Sequence, residues 1–119
     1  MTFMGLTALD QMVSFATEAL ASGDDVRISR LVRDLATEWP QEPALSISFA
    51  LTSAASALEE ILSEQQGPVN RAYRMAALAA ADILAVEAMG QSPAKTENLL
   101  HFWRRVDPYF LKVAEARPS

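Results

Sequence analysis

Residues 68–90 read PVNRAYRMAALAAADILAVEAMG, and no other stretch of the chain constrains its architecture as much. Alanine has the highest helix propensity of any residue. Pro68 suits a first helical turn, and Gly90 suits the left-handed conformation that ends one. The spacing predicts a helix over 68–90. One side of it carries Val69, Tyr73, Ala76, Ala77, Ala80, Ile83 and Leu84. The opposite side should be polar, yet there Met75, Leu78, Ala85 and Met89 share the surface with Arg71, Arg74 and Asp82. A helix that is apolar nearly all round has to be covered from more than one direction. Either it is the central helix of the chain, or its Met75, Leu78, Ala85 and Met89 side meets a second copy. A two-fold dimer is the commonest soluble assembly and is the expected one.

The same reading extends upstream. Thr7, with Asp10 three residues on, opens a helix whose apolar face is Leu9, Met12, Val13, Phe15, Ala16, Ala19 and Leu20, and Gly23 closes it. Asp24 or Asp25 caps a second helix to about Glu38, with Ile28, Leu31, Val32 and Leu35 as its stripe. Trp39 precedes Pro40, which disfavours helical geometry at Trp39, so the break falls there. A third helix runs from Pro43 or Ala44 to about Gln66. Its apolar arc is Ile47, Leu51, Ala54, Leu58, Ile61 and Leu62, and its wet arc includes Ser48, Thr52, Ser56 and Ser63. Leu45 and Phe49 fall on the polar side. Gly67-Pro68 is read as the stop of that helix and the start of the next.

Downstream, Ser92-Pro93 and Thr96-Glu97 both offer starts for a helix with Leu99, Phe102, Trp103 and Val106 on one face. Asp107-Pro108 reads as a cap and a first-turn proline for a short helix to about Ala116. Almost nothing alternates with period two, so no sheet is predicted. The expected fold is all-α, an antiparallel bundle of five to six helices in one domain spanning residues 1–119.

Composition narrows function by exclusion. Of 119 residues, 50% are hydrophobic and 21% charged, the balance of a globular chain. There is no cysteine, which removes disulfides, thiolate nucleophiles and cysteine-ligated metals. A formal charge of −5 repels nucleic acid on average. No apolar run approaches the ~20 residues of a membrane span, and the N-terminus lacks the pattern of a secretory signal. The expected compartment is the cytoplasm.

Motifs for specific chemistry are sparse. His101 is the single histidine, one turn from Glu97, but it falls on the polar face of its helix and reads as solvated rather than metal-bound. A di-iron pattern would need two Glu-x-x-His pairs. The serines at 46, 48, 53 and 56 have no Gly-x-Ser-x-Gly context and read as a wet helix face. Glu87 lies on the Ala80 and Leu84 side, close enough to Gly90 for its head to reach water. Arg71 with Arg74, and Arg104 with Arg105, are each placed to hold a carboxylate or phosphate. The run from Ala19 to Arg33 superficially resembles a helix-turn-helix, but Asp24 and Ser29 occupy positions that motif keeps apolar.

Two functional expectations follow. The first is a non-enzymatic protein-interaction module that forms a homodimer or binds another protein, with no cofactor or metal. The second is a ligand-responsive regulator whose pocket between helices is lined by Tyr73, Met75, Phe102, Trp103 or Tyr109.

Overall fold

The computed structural model describes residues 7–61, 66–106 and 108–111. All regular structure among them is helical: α1 (Ala8–Ser22), α2 (Asp25–Ser29), α3 (Leu31–Glu38), α4 (Leu45–Ile61), α5 (Gln66–Ala88) and α6 (Thr96–Arg105). A further helical turn occupies residues 109–111. The expected Asp107 cap, the end of the short last helix, Leu62 and Ser63 lie outside the described residues.

Local chemistry sets most of the boundaries. The Thr7 hydroxyl accepts the Asp10 N–H at 3.1 Å and starts α1. Gly23, at φ 69°, ends it in the left-handed region that side chains avoid. The Asp24 carboxylate accepts the Val26 and Arg27 N–H groups and starts α2. The sequence reading ran one helix from there to Glu38. The chain instead kinks at Arg30, whose φ −94° and ψ −1° fall in the bridge region between the allowed basins. The hydrogen bonds Arg30 N to Val26 O and Asp34 N to Arg30 O run through the kink, so α2 and α3 remain continuous in path. Ile28, Leu31, Val32 and Leu35 are all buried.

Two further boundaries differ from expectation. Gln66 belongs to α5 and not to the preceding helix, so Gly67 and Pro68 sit inside the first turn of α5. Proline's missing N–H costs nothing there, because first-turn donors have no helical partner anyway. The second concerns which helix is central. α4, not the 68–90 segment, lies between its neighbours, packing along both α1 and α5. Its buried residues Ile47, Ser48, Ala50, Leu51, Ala54, Ala55 and Leu58 cover about half its circumference. Ile61, expected in the apolar arc, is exposed, and Ser48, expected to be wet, is buried. Ser48 is tolerated inside because its hydroxyl donates to the Ala76 carbonyl of α5 at 2.9 Å.

A knot of loops fixes α6. Ala44 N donates to Ala94 O, Thr96 N to Glu42 O and Glu97 N to Pro40 O, at 2.9 to 3.0 Å. Pro43 and Lys95 form an isolated antiparallel bridge. The fully buried Thr96 adds a hydroxyl bond to the Trp39 carbonyl. The Asn98 amide oxygen accepts the Lys95 N–H at 2.8 Å and caps the helix. α6 then packs against α3 and α5 with Leu99, Leu100, Phe102 and Trp103 buried. The Trp103 indole N–H donates to Asp82 of α5 at 2.9 Å.

Candidate functional site

The buried stripe of α5 is Val69, Ala72, Ala76, Ala79, Ile83 and Val86, spaced alternately by three and four residues. Such spacing keeps one narrow line of side chains against a neighbour. The opposite line is Ala77, Ala81, Leu84 and Ala88, all exposed, with Leu78 and Met89 beside it. Leu84 is 71% exposed and Met89 65%. The sequence reading had put Leu84 and Ala77 on the covered side. The two acids of this stretch are both drawn off it, Asp82 to Trp103 and Glu87 to the Ala94 N–H at 3.2 Å. From Ala77 to Met89 the outward face of α5 therefore carries no charge.

Of the four residues expected at an interface, Leu78 and Met89 lie on this outward face, while Met75 and Ala85 are half-buried against the core. On α4, Leu45 and Phe49 are exposed, at 61% and 51%. Ser48 of the same helix donates to the Ala76 carbonyl of α5 between the two helices.

Two clefts open elsewhere. The smaller, about 90 Å³, is lined by Ser29, Arg71, Arg74, Met75, Tyr109 and Phe110. The expected anion pair is brought there but is not free. Arg71 bonds Asp25 at 2.5 Å and the Ser29 hydroxyl at 2.8 Å, so a carboxylate of the chain itself occupies that guanidinium.

The larger cleft, about 470 Å³, lies between the end of α5 and the outer side of α6. Its floor is the buried pair Val86 and Phe102, and Met89 and Val106 form its apolar rim. Its polar wall is Gln91, Asn98, His101 and Arg105. Asn98, His101 and Arg105 recur at intervals of three and four residues, which aligns them along one side of α6. No hydrogen bond or ion pair to another described side chain engages His101 or Arg105. Glu97, once paired with His101 as a possible metal site, instead accepts from Gln41 at 3.1 Å. No group of three or more metal-ligating side chains occurs among the described residues.

The aromatic residues expected to line one pocket are dispersed. Phe102 floors the larger cleft and Tyr109 borders the smaller. Trp103 is fully buried and meets Phe110 at a tilt, with ring centres 5.0 Å apart. Tyr73 lies at the α4–α5 boundary, donating to Glu59 at 2.9 Å. That bond stabilises the neutral phenol and holds its pKa above the usual tyrosine value. Gln91, Asn98, Val86 and Val106 were not anticipated. Phe102 and the polar row were legible because they lie on α6, whereas Val86, the other half of the floor, comes from α5.

Arg27 of the arginine-rich segment pairs with Glu18 of α1 at 3.8 Å, and Arg30 is exposed. No helix among the described residues is long and apolar enough to cross a membrane. Comparison with protein-family models, curated proteins and solved structures yields no match.

Proposed function

We propose that this chain is a non-enzymatic interaction module, an antiparallel helical bundle that pairs with a second copy of itself in the cytoplasm. The observation that carries the reading is the charge-free outward face of α5 from Ala77 to Met89. Isolated exposed leucines are ordinary, but a helix side of 13 residues without one charge is a contiguous apolar patch. The face is about 20 Å long at 1.5 Å per residue. Alone it falls short of the roughly 800 Å² that each partner buries in a stable complex. In this reading Leu45 and Phe49 of α4 add to it, so the interface consists of α4 and α5 against their copies.

The face also complements itself. About a two-fold axis near Ala81, the α5 helices run antiparallel and Arg74 of one meets the C-terminal end of the other. The partial negative charge of that helix end favours a cation. The alanines at 77, 81 and 88 permit close approach, and Leu84 and Leu78 supply most of the buried area.

Light scattering checks this directly. The wild-type chain should have the mass of a dimer at high micromolar concentration. Leu84→Glu and Leu78→Glu should each give a monomer with unchanged helical circular dichroism. A monomeric wild type overturns the reading. Leu84 decides more than Leu78, because it is 71% exposed against 37%.

A second reading, a ligand-responsive regulator, is favoured by the larger cleft. Met89 belongs to both the cleft rim and the outward face of α5. An occupant that moves Met89 would change dimer strength.

A further inference from the structure

We propose that the cleft between α5 and α6 binds a small amphipathic carboxylate, with its headgroup on Arg105 and His101 and its apolar body on Phe102 and Val86. This deepens the regulator reading by naming the ligand class, and it stands whether or not binding alters the dimer.

The chemistry of the wall selects an anion. Arg105 offers five N–H donors in a planar fork that fits a carboxylate with two parallel bonds. Asn98 spends its amide oxygen on the Lys95 N–H, so the amide group left for the cleft is its NH₂ donor. His101 adds a ring donor one turn before Arg105. Among the described lining residues none carries a carboxylate, so none of them competes with the ligand for these donors. This is the contrast with the smaller cleft, where Asp25 already holds Arg71.

The floor selects the rest of the molecule. Val86 and Phe102 are buried, and Met89 and Val106 stand at the rim, 65% and 58% exposed. A bare anion would leave this apolar lining in water. A ligand with a short hydrocarbon or aromatic body covers it. The volume of about 470 Å³ lies within the range of small-molecule sites.

Octanoate is a suitable probe and octanol its uncharged counterpart. Titration of the full chain, followed by amide NMR, should give saturable octanoate shifts confined to residues 86–91 and 98–106. The side-chain amides of Asn98 and Gln91 should be among them. Octanol should bind about tenfold more weakly, the loss expected for one charge-assisted contact. Arg105→Gln should weaken octanoate by a similar factor and leave octanol unchanged, and His101→Gln should weaken octanoate by less. Arg104→Gln, outside the cleft, should change neither. Three results overturn the proposal: no saturable octanoate shifts, equal binding of octanol, or unchanged octanoate affinity in Arg105→Gln. Light scattering of the saturated sample reads the regulator hypothesis separately. An unchanged mass beside confined shifts leaves the carboxylate site in place and removes the regulation.

Discussion

Replacing Thr96 by valine tests how α6 is held. Thr96 is fully buried, and its hydroxyl donates to the Trp39 carbonyl across 57 residues of chain. Valine has nearly the same shape, so the packing survives while the donor is lost. Trp39 O then keeps only the Glu42 N–H, at 3.5 Å, too long for a good bond. Leaving this part-buried acceptor unsatisfied costs about 1–3 kcal/mol. Thr96→Ser keeps the donor and loses one methyl, about 1 kcal/mol. The expected loss for Thr96→Val is therefore about 2 kcal/mol, twice that of the serine variant. In a chain of this size that lowers Tm by roughly 6–12 °C. Urea unfolding followed by tryptophan fluorescence measures both variants, with the slope m unchanged if the folded state is preserved. A valine variant as stable as the wild-type chain would refute the argument, because the hydroxyl would then contribute nothing.

Gly23→Ala should cost about 1 kcal/mol, although no atom lies within 4 Å of the added methyl, because φ 69° strains any side chain. Thermal melts measure this, and an unchanged midpoint contradicts it. Asp34 has its pKa raised, chiefly by burial and against the pull of Arg30 and Arg33. A raised carboxyl binds its proton more tightly in the folded chain, so its stabilising contribution is complete below the unfolded pKa and is lost as pH rises through the folded one. Asp34→Asn removes this dependence. The Tm difference, variant minus wild type, should grow as pH rises from about 3 to about 6. A flat or falling difference would contradict it.

The legible parts of the fold were those written in short range. Thr7, Gly23, Asp24 and the Trp39-Pro40 pair marked helix ends, because caps and prolines act within a few residues. The kink at Arg30 carries no such mark, since its hydrogen bonds continue on both sides. In α5 the assignment of faces went astray at Leu84 and Ala77. Alanine is apolar enough to be buried and small enough to be exposed, so an alanine-rich helix offers several equally apolar stripes. The larger residues Val69, Ile83 and Val86 alone would have located the true one. Ser48 misled for the opposite reason, since its polarity suggested solvent but the Ala76 carbonyl satisfies it inside. The cleft was legible only on α6, because Val86 and Met89 reach it through tertiary packing.

The hydroxyl of Ser48 has a consequence for alignment. The middle of the buried stripe of α5 is Ala72, Ala76 and Ala79, side chains too small to form the deep ridges that normally stop one helix sliding along another. A smooth contact of this kind tolerates axial slip at little cost in van der Waals energy. The single hydroxyl-to-carbonyl bond does not, since a shift of even part of a turn would strand both atoms away from water. Ser48 thus acts as a detent that sets the register of the two helices, and with it the level at which every residue on their outer surface is presented.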